Sequence, residues 1–207
     1  MADLDFFWDP VCPWAWITSR WVREVQAQRP IDVDWRFIAL KIVNEDKGYS
    51  PELVERYTKV HGMGYTLLNV AAAVREKHGR EPLGELYTAF GTRIHVEKDA
   101  PSLRETAGIA AVLDSLGLDP SLAGVGDSFE DVVRADTQLA LERAGRDIGT
   151  PVLTFSPPDG FSFFGPVIAK APKGEDALKL WDTVETLARF PGFAELKRSI
   201  RSTPEVE

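Results

Sequence analysis

The chain's only cysteine, Cys12, is followed directly by a proline, Pro13, and that pairing is the clearest chemical signal in the sequence. Proline suits the first turn of a helix, where its missing N–H costs nothing, so Cys12 falls at a helix start. There the unsatisfied N–H groups and the positive end of the helix dipole favour the thiolate, the nucleophilic form of the side chain. The placement predicts a thiol pKa below the ordinary value. A lone cysteine is most often a small buried hydrophobe; a position between a strand end and a helix-starting proline argues instead for a nucleophile. One thiol per chain excludes an intrachain disulfide, a Cys-rich zinc site and a two-cysteine redox couple.

Other groups that could work with this thiol carry weaker signals. Asp9 could tune it or take its proton, although an acid at a strand end is commonly a turn or capping residue. Trp14 could form an aromatic wall beside the sulfur or simply pack its helix, while Trp16 and Trp21 read as core. His95 could face a cleft as acid or base, against the surface or capping role that is the commoner fate of each of His61, His78 and His95. Arg20 could bind a carboxylate of a thiol cosubstrate, against the usual solvated helical arginine. Asp and Glu lack metal-type spacing and no glycine-rich phosphate loop is present, so neither a metal nor a tightly bound cofactor is expected.

The elements that must position these groups can be read from periodicity. Leu4 to Trp8 is a short aromatic and aliphatic segment that reads as a strand, ended by Asp9 and Pro10. From Pro13, the residues Trp14, Ile17, Trp21 and Val25 recur at helical spacing to about Gln28, and Pro30 stops the helix. Ile31 to Leu40 alternates through Val33, Trp35 and Phe37 as a second strand, which makes a βαβ unit with parallel strands and a right-handed crossover. A helical block comes next, predicted as about five helices. Ser50-Pro51 opens one that runs to His61 before a Gly62/Gly64 break; Tyr65–His78, Leu83–His95 and Ser102–Leu116 come after it, the last capped by Gly117. Asp119-Pro120 opens a short turn, and Asp127 or Ser128 caps a helix ending at Gly145 with Val132, Val133, Leu139 and Leu141 on its apolar face. Strands at Val152–Phe155 and Phe161–Phe164 flank the turn-rich Pro157-Pro158-Asp159-Gly160 and read as a hairpin. A helix at about Gly174–Ala188, a short helix at Phe193–Ile200 and a frayed tail from Arg201 to Glu207 complete the reading.

The chain has 207 residues with 24 Lys and Arg against 32 Asp and Glu, a formal net charge of −8, and 44% hydrophobic residues. That composition supports a real core and makes a phosphate-backbone binder a poor expectation, so no nucleic-acid partner is predicted. No stretch approaches the roughly 20 apolar residues that span a bilayer. The acidic amino terminus lacks the basic region of a signal peptide, and a solitary thiol fits a reducing compartment. A cytoplasmic protein with no membrane partner is the expectation.

Phe7 to Trp21 resembles the active-site segment of the DsbA-like thioredoxin superfamily. More narrowly it is similar to the mycothiol-dependent nitroreductase (mycoredoxin-like) branch, whose members carry Cys-Pro-Trp-Cys followed by Trp-Ile-Thr-Ser-Arg-Trp. The resemblance continues through Leu86 to His95, Gly149-Thr150-Pro151, Phe163 to Val167 and Leu180-Trp181-Asp182, and so covers nearly the whole chain. It implies an α/β thioredoxin fold, βαβ…ββα, formed by residues 1–48 and 146–207 and interrupted by an all-helical insertion at 49–145. It implies that Cys12 is the catalytic residue, within the motif Pro13, Trp14, Ala15, and that Pro151 is cis and packs opposite the nucleophile. Thr150 would then offer its backbone to a thiol ligand, with Trp14 beside it. Ala15 stands where the family's second cysteine belongs, so the step in which that cysteine attacks a mixed disulfide has no attacker within the chain. Monothiol chemistry remains. Cys12 would take up a low-molecular-weight thiol of the mycothiol type as cosubstrate, acting on mixed disulfides or on small electrophilic or nitroaromatic substrates, with resolution by external thiol. Two alternatives stay open. One is a thiol transferase or isomerase like the kappa-class transferases and 2-hydroxychromene-2-carboxylate isomerases, which use a bound thiol without net redox change. The other is a binding protein with a degenerate site and an inert, buried Cys12.

Overall fold

In the computed structural model, residues 2–45, 51–198 and 202–206 are described. Strand β1 (Leu4–Trp8) is followed by helix α1 (Pro13–Gln26), β2 (Val33–Phe37) and a one-turn helix α2 (Leu40–Val43). Helices α3 (Pro51–His78) and α4 (Leu83–Gly91), a π turn (Thr92–Val96), a 3₁₀ turn (Ser102–Arg104), α5 (Thr106–Ser115), a second 3₁₀ turn (Pro120–Gly124) and α6 (Glu130–Ala144) come next. The hairpin β3 (Val152–Phe155) and β4 (Phe161–Phe164) and helix α7 (Gly174–Arg189) close the chain.

The sheet order is β2-β1-β3-β4, with β1 parallel to β2 and antiparallel to β3, and β3 antiparallel to β4. This is the thioredoxin arrangement, with the helical block inserted between β2 and β3. Every residue of β1 is buried, because both faces of a central strand are covered. Leu4, Phe6 and Trp8 enter the main core with Ile17, Trp21, Leu67 and Leu153, and the intervening Phe7 packs with Ile38, Ala140 and Val152 on the other face.

Several boundaries differ from the sequence reading. The glycines at 62 and 64 do not break α3, which runs unbroken for 28 residues, so the block holds four α-helices among the described residues and not five. Each helical glycine costs only about 1 kcal/mol, and the burial of Leu67, Leu68, Val70, Ala71 and Val74 outweighs that. Gly64 is required where it stands: a Cβ there would lie 2.5 Å from Asp9 Oδ1. Ser50 lies outside the described residues. The 83–95 helix instead passes into the π turn after Gly91, and Ser102–Leu116 splits into a 3₁₀ turn and α5. Neither Asp127 nor Ser128 caps α6; Phe129 occupies the cap position with no side-chain bond, and the buried positions of α6 are Val133, Asp136, Thr137 and Ala140. Ile38 N–H still donates to the Trp8 carbonyl at 3.1 Å, and the amides after it leave the sheet: Ala39 N–H donates to Thr137 Oγ1 at 3.0 Å and Leu40 N–H to Asp9 Oδ2 at 2.8 Å. Residues 193–198 are irregular, with Leu196 77% exposed; without a surface to bury an apolar face, so short a helix has no support. Ile200, Arg201 and Glu207 lie outside the described residues, and the tail before Glu207 is tied down where Glu205 N–H donates to the Ala169 carbonyl.

A buried ion cluster joins the inserted helices to the sheet. Asp136 of α6, almost fully buried, accepts from Arg36 of β2 at 2.7 Å and from Arg75 of α3 at 2.6 Å. It also accepts the Phe37 backbone N–H at 3.3 Å.

Candidate active site

Cys12 is the N-cap of α1, with extended backbone angles, and its sulfur accepts the Ala15 N–H at 3.5 Å. Its S–H donates to the Thr150 carbonyl at 3.4 Å, so residues 138 positions apart in the chain meet at the sulfur. The Thr150–Pro151 peptide is cis. Thr150 is fixed in turn by its own hydroxyl, which donates to the Phe7 carbonyl at 3.1 Å, and Gly165 N–H donates to the Pro151 carbonyl at 2.9 Å. Trp14 is half-buried in the first turn of α1, whereas Ala15 is completely buried.

The thiol itself departs from expectation. Cys12 is buried, and removal of its sulfur from water pushes the pKa up to about 12 despite the favourable Ala15 and Trp14 N–H groups. The charge of Asp9 acts in the same direction. A helix start favours a thiolate only by partial charges, and desolvation of a full charge exceeds that. The resting side chain is therefore a thiol, its S–H directed at the Thr150 carbonyl.

Asp9 is wholly buried at the end of β1. Its Oδ1 accepts Val11 N–H at 3.1 Å and its Oδ2 accepts Leu40 N–H, so it organises the turn leading to Cys12 and starts α2. Burial raises its pKa to about 7, against the lowering effect of the two N–H bonds. Below pH 3.8 the folded and unfolded chains both hold this proton; between 3.8 and about 7 only the folded chain does. Stability from this group therefore falls as pH rises through that window, by about 4 kcal/mol. In Asp9→Asn the decline in urea midpoint between pH 5 and pH 7.5 should shrink, whatever the variant's absolute stability, and alkylation of Cys12 at pH 8 should quicken with the loss of the adjacent negative charge. An unchanged pH slope would show that Asp9 ionises normally.

His95 and Arg20 occupy places other than those expected. His95 is buried, not cleft-facing; its Nε2 lies 2.8 Å from the Pro10 carbonyl oxygen, and burial lowers its pKa to about 4. It is neutral at physiological pH and its Nε2 proton is engaged. Arg20 lies over the Trp16 ring at 4.0 Å and donates to the hydroxyls of Ser19 and Thr88 at 3.2 and 3.0 Å, at the packed boundary of α1 and α4. Trp16 and Trp21 are core, as expected. The geometry thus brings together Cys12, Ala15, Thr150 and Asp9. Pro10, Leu40 and Gly64 complete the site's frame and carry no chemical signal in the sequence, where Gly64 reads as a helix break. Among the described residues no group of His, Cys, Asp and Glu could hold a metal ion, and no helix is long and apolar enough to cross a membrane.

The sequence profile of the Rv2466c-like family, described as mycothiol-dependent nitroreductase Rv2466c, matches residues 11–198. The chain belongs to that family. The family's description supports oxidoreductase-type chemistry for this chain. Among curated proteins, uncharacterized protein Rv2286c of Mycobacterium tuberculosis (strain ATCC 25618 / H37Rv) is 33% identical over 215 residues, spanning 100% of this chain and 86% of that protein. Two solved structures share the fold. A 2-hydroxychromene-2-carboxylate isomerase superposes with a TM-score of 0.57 at 15% identity, covering 87% of this chain and 93% of the other. A probable DsbA oxidoreductase, SCO1869 from Streptomyces coelicolor, gives 0.55 at 17% identity, covering 99% and 97%.

Proposed function

We propose that this Rv2466c-family protein is a monothiol oxidoreductase that works with a low-molecular-weight thiol of the mycothiol type. It would act in a reducing compartment, the cytoplasm, on mixed disulfides or small electrophilic or nitroaromatic substrates. The observation that carries the proposal is the pair Cys12 and Ala15: a sulfur capping α1 opposite Thr150–Pro151, with a methyl group in place of a second sulfur. A ligand that takes the Thr150 backbone displaces the Cys12 S–H from its carbonyl and frees the proton. In the disulfide reaction Cys12 sulfur, as thiolate, attacks one sulfur of a mixed disulfide; a Cys12–thiol disulfide forms and the other half leaves as thiolate, taking a proton. A second cosubstrate thiol then attacks the protein-bound disulfide, giving cosubstrate disulfide and free Cys12. Trp14 would wall the ligand on the α1 side.

The burial of Cys12 favours one second reading, in which Cys12 stays protonated, whether as a transferase or isomerase that activates a bound thiol or as the degenerate binding protein with an inert thiol. Intact mass spectrometry separates the two. After incubation with mycothiol disulfide or glutathione disulfide, the protein should carry one adduct that persists until free thiol is added, and in Ala15→Cys the same adduct should be shed without added thiol. An unmodified wild-type protein after hours at pH 8 would defeat the monothiol proposal.

A further inference from the structure

We infer that His95 is a positioning residue for Cys12: its ring N–H fixes the carbonyl of Pro10, and with it the turn that presents the nucleophile. The inference rests on the proposed role of Cys12 as nucleophile. A carbonyl oxygen only accepts hydrogen bonds, so the 2.8 Å contact to Pro10 requires the Nε2–H tautomer. The turn from Asp9 to Cys12 has few backbone groups, and its donors from Pro10 to Cys12 are assigned. Pro10 has no N–H, Val11 N–H goes to Asp9 Oδ1, and Cys12 N–H goes to the Asp9 carbonyl at 3.1 Å. The Pro10 carbonyl is held by His95, which arrives from the inserted helices.

Several features build the approach of His95. The helix changes to a π turn at Thr92–Val96, which adds a residue to the turn and rotates the chain beyond it, so His95 is turned inward. Its ring stacks on Trp16 of α1, with centroids 5.7 Å apart and planes at 25°, and the backbone N–H of Trp16 donates to the Cys12 carbonyl at 3.0 Å. Gly91, just before the π turn, leaves no room: a Cβ would lie 2.2 Å from the Trp16 ring. Arg93, within the turn, pairs with Asp99 just beyond it at 3.0 Å, and the ammonium of Lys98 donates to the His95 carbonyl. Without the His95 donor the Pro10 carbonyl would be left unpaired beside a buried thiol. The 10–11 peptide could then rotate and carry the aim of Cys12 toward Thr150 with it.

The test separates the donor from the ring. His95→Phe keeps an aromatic ring against Trp16 and removes the N–H; His95→Gln restores an N–H with similar reach. The rate constant for disulfide-adduct formation at Cys12 is measured across pH, with thermal unfolding as the control for folding. His95→Phe should unfold cooperatively yet react about tenfold more slowly, with a displaced pH midpoint, and His95→Gln should recover most of the rate. A wild-type rate and pH midpoint in His95→Phe, or equal impairment in both variants, would overturn the inference. Should His95→Phe fail to fold, ¹⁵N spectroscopy of the wild-type imidazole decides: the Nε2–H tautomer is expected at pH 7, and the Nδ1–H tautomer would refute it. That readout is independent of adduct formation, whose absence in the wild type would defeat only the nucleophile reading.

Discussion

In Cys12→Ser, turnover of disulfide or electrophilic substrates is expected to fall by about 10³-fold or more, with no covalent adduct detectable by mass. Serine is close to isosteric here, so its hydroxyl can still donate to the Thr150 carbonyl and cap α1, and the melting temperature should move little. The loss would be chemical: an alkoxide is far less accessible than a thiolate, and an oxygen–sulfur bond is not an intermediate of disulfide exchange. The variant also discriminates between mechanisms. A transferase or isomerase using a bound thiol as its only nucleophile would keep most of its activity, and that outcome would transfer the chemistry from the protein sulfur to the ligand sulfur.

The second large effect is on stability. Asp136→Ala should lower the unfolding free energy by about 3–5 kcal/mol, a substantial part of the roughly 5–15 kcal/mol typical of a folded chain. Asp136 pairs with both Arg36 and Arg75 and accepts the Phe37 N–H, so its removal strands Arg75 in a partly buried position and leaves Arg36 only its longer pairing with Asp34 at 3.4 Å. Urea unfolding checks the figure. A loss below about 1 kcal/mol would mean that water replaces the carboxylate at little cost, and that the inserted helices are held to the sheet by apolar packing alone.

Asp136 also marks the limit of what the sequence discloses. The local signals are sound: the strand at Leu4–Trp8, the Pro13 helix start, the alternation through Val33, Trp35 and Phe37, and the hairpin turn at Pro157 to Gly160 depend on neighbours a few residues apart. Asp136 sits mid-helix among residues that read as a mixed amphipathic face, and nothing near it in sequence announces Arg36 or Arg75. The errors share this origin. Gly62 and Gly64 look like a break until Asp9 is seen pressed against Gly64, and His95 reads as a surface or capping residue, or as an acid or base facing a cleft, until Pro10 is seen at its Nε2. Cys12 shows the same limit most sharply. Its helix-start position is legible, but the burial that sets its protonation comes from the whole fold around it.

The hydrogen bond from Cys12 to Thr150 spans 138 residues of sequence, and this separation bears on how the protein is made. The sulfur leaves the ribosome early, but the carbonyl that shields it arrives only after all the inserted helices have been synthesised. Contacts of such long range form late, and an incompletely folded chain keeps that thiol open to solvent throughout. In a protein with several cysteines, such an interval invites wrong disulfide pairing. A chain with one thiol cannot pair with itself, so its hazards are confined to small-molecule caps and to a second chain. A small thiol capping the nascent Cys12 would be removable by the same exchange reaction proposed for the finished enzyme.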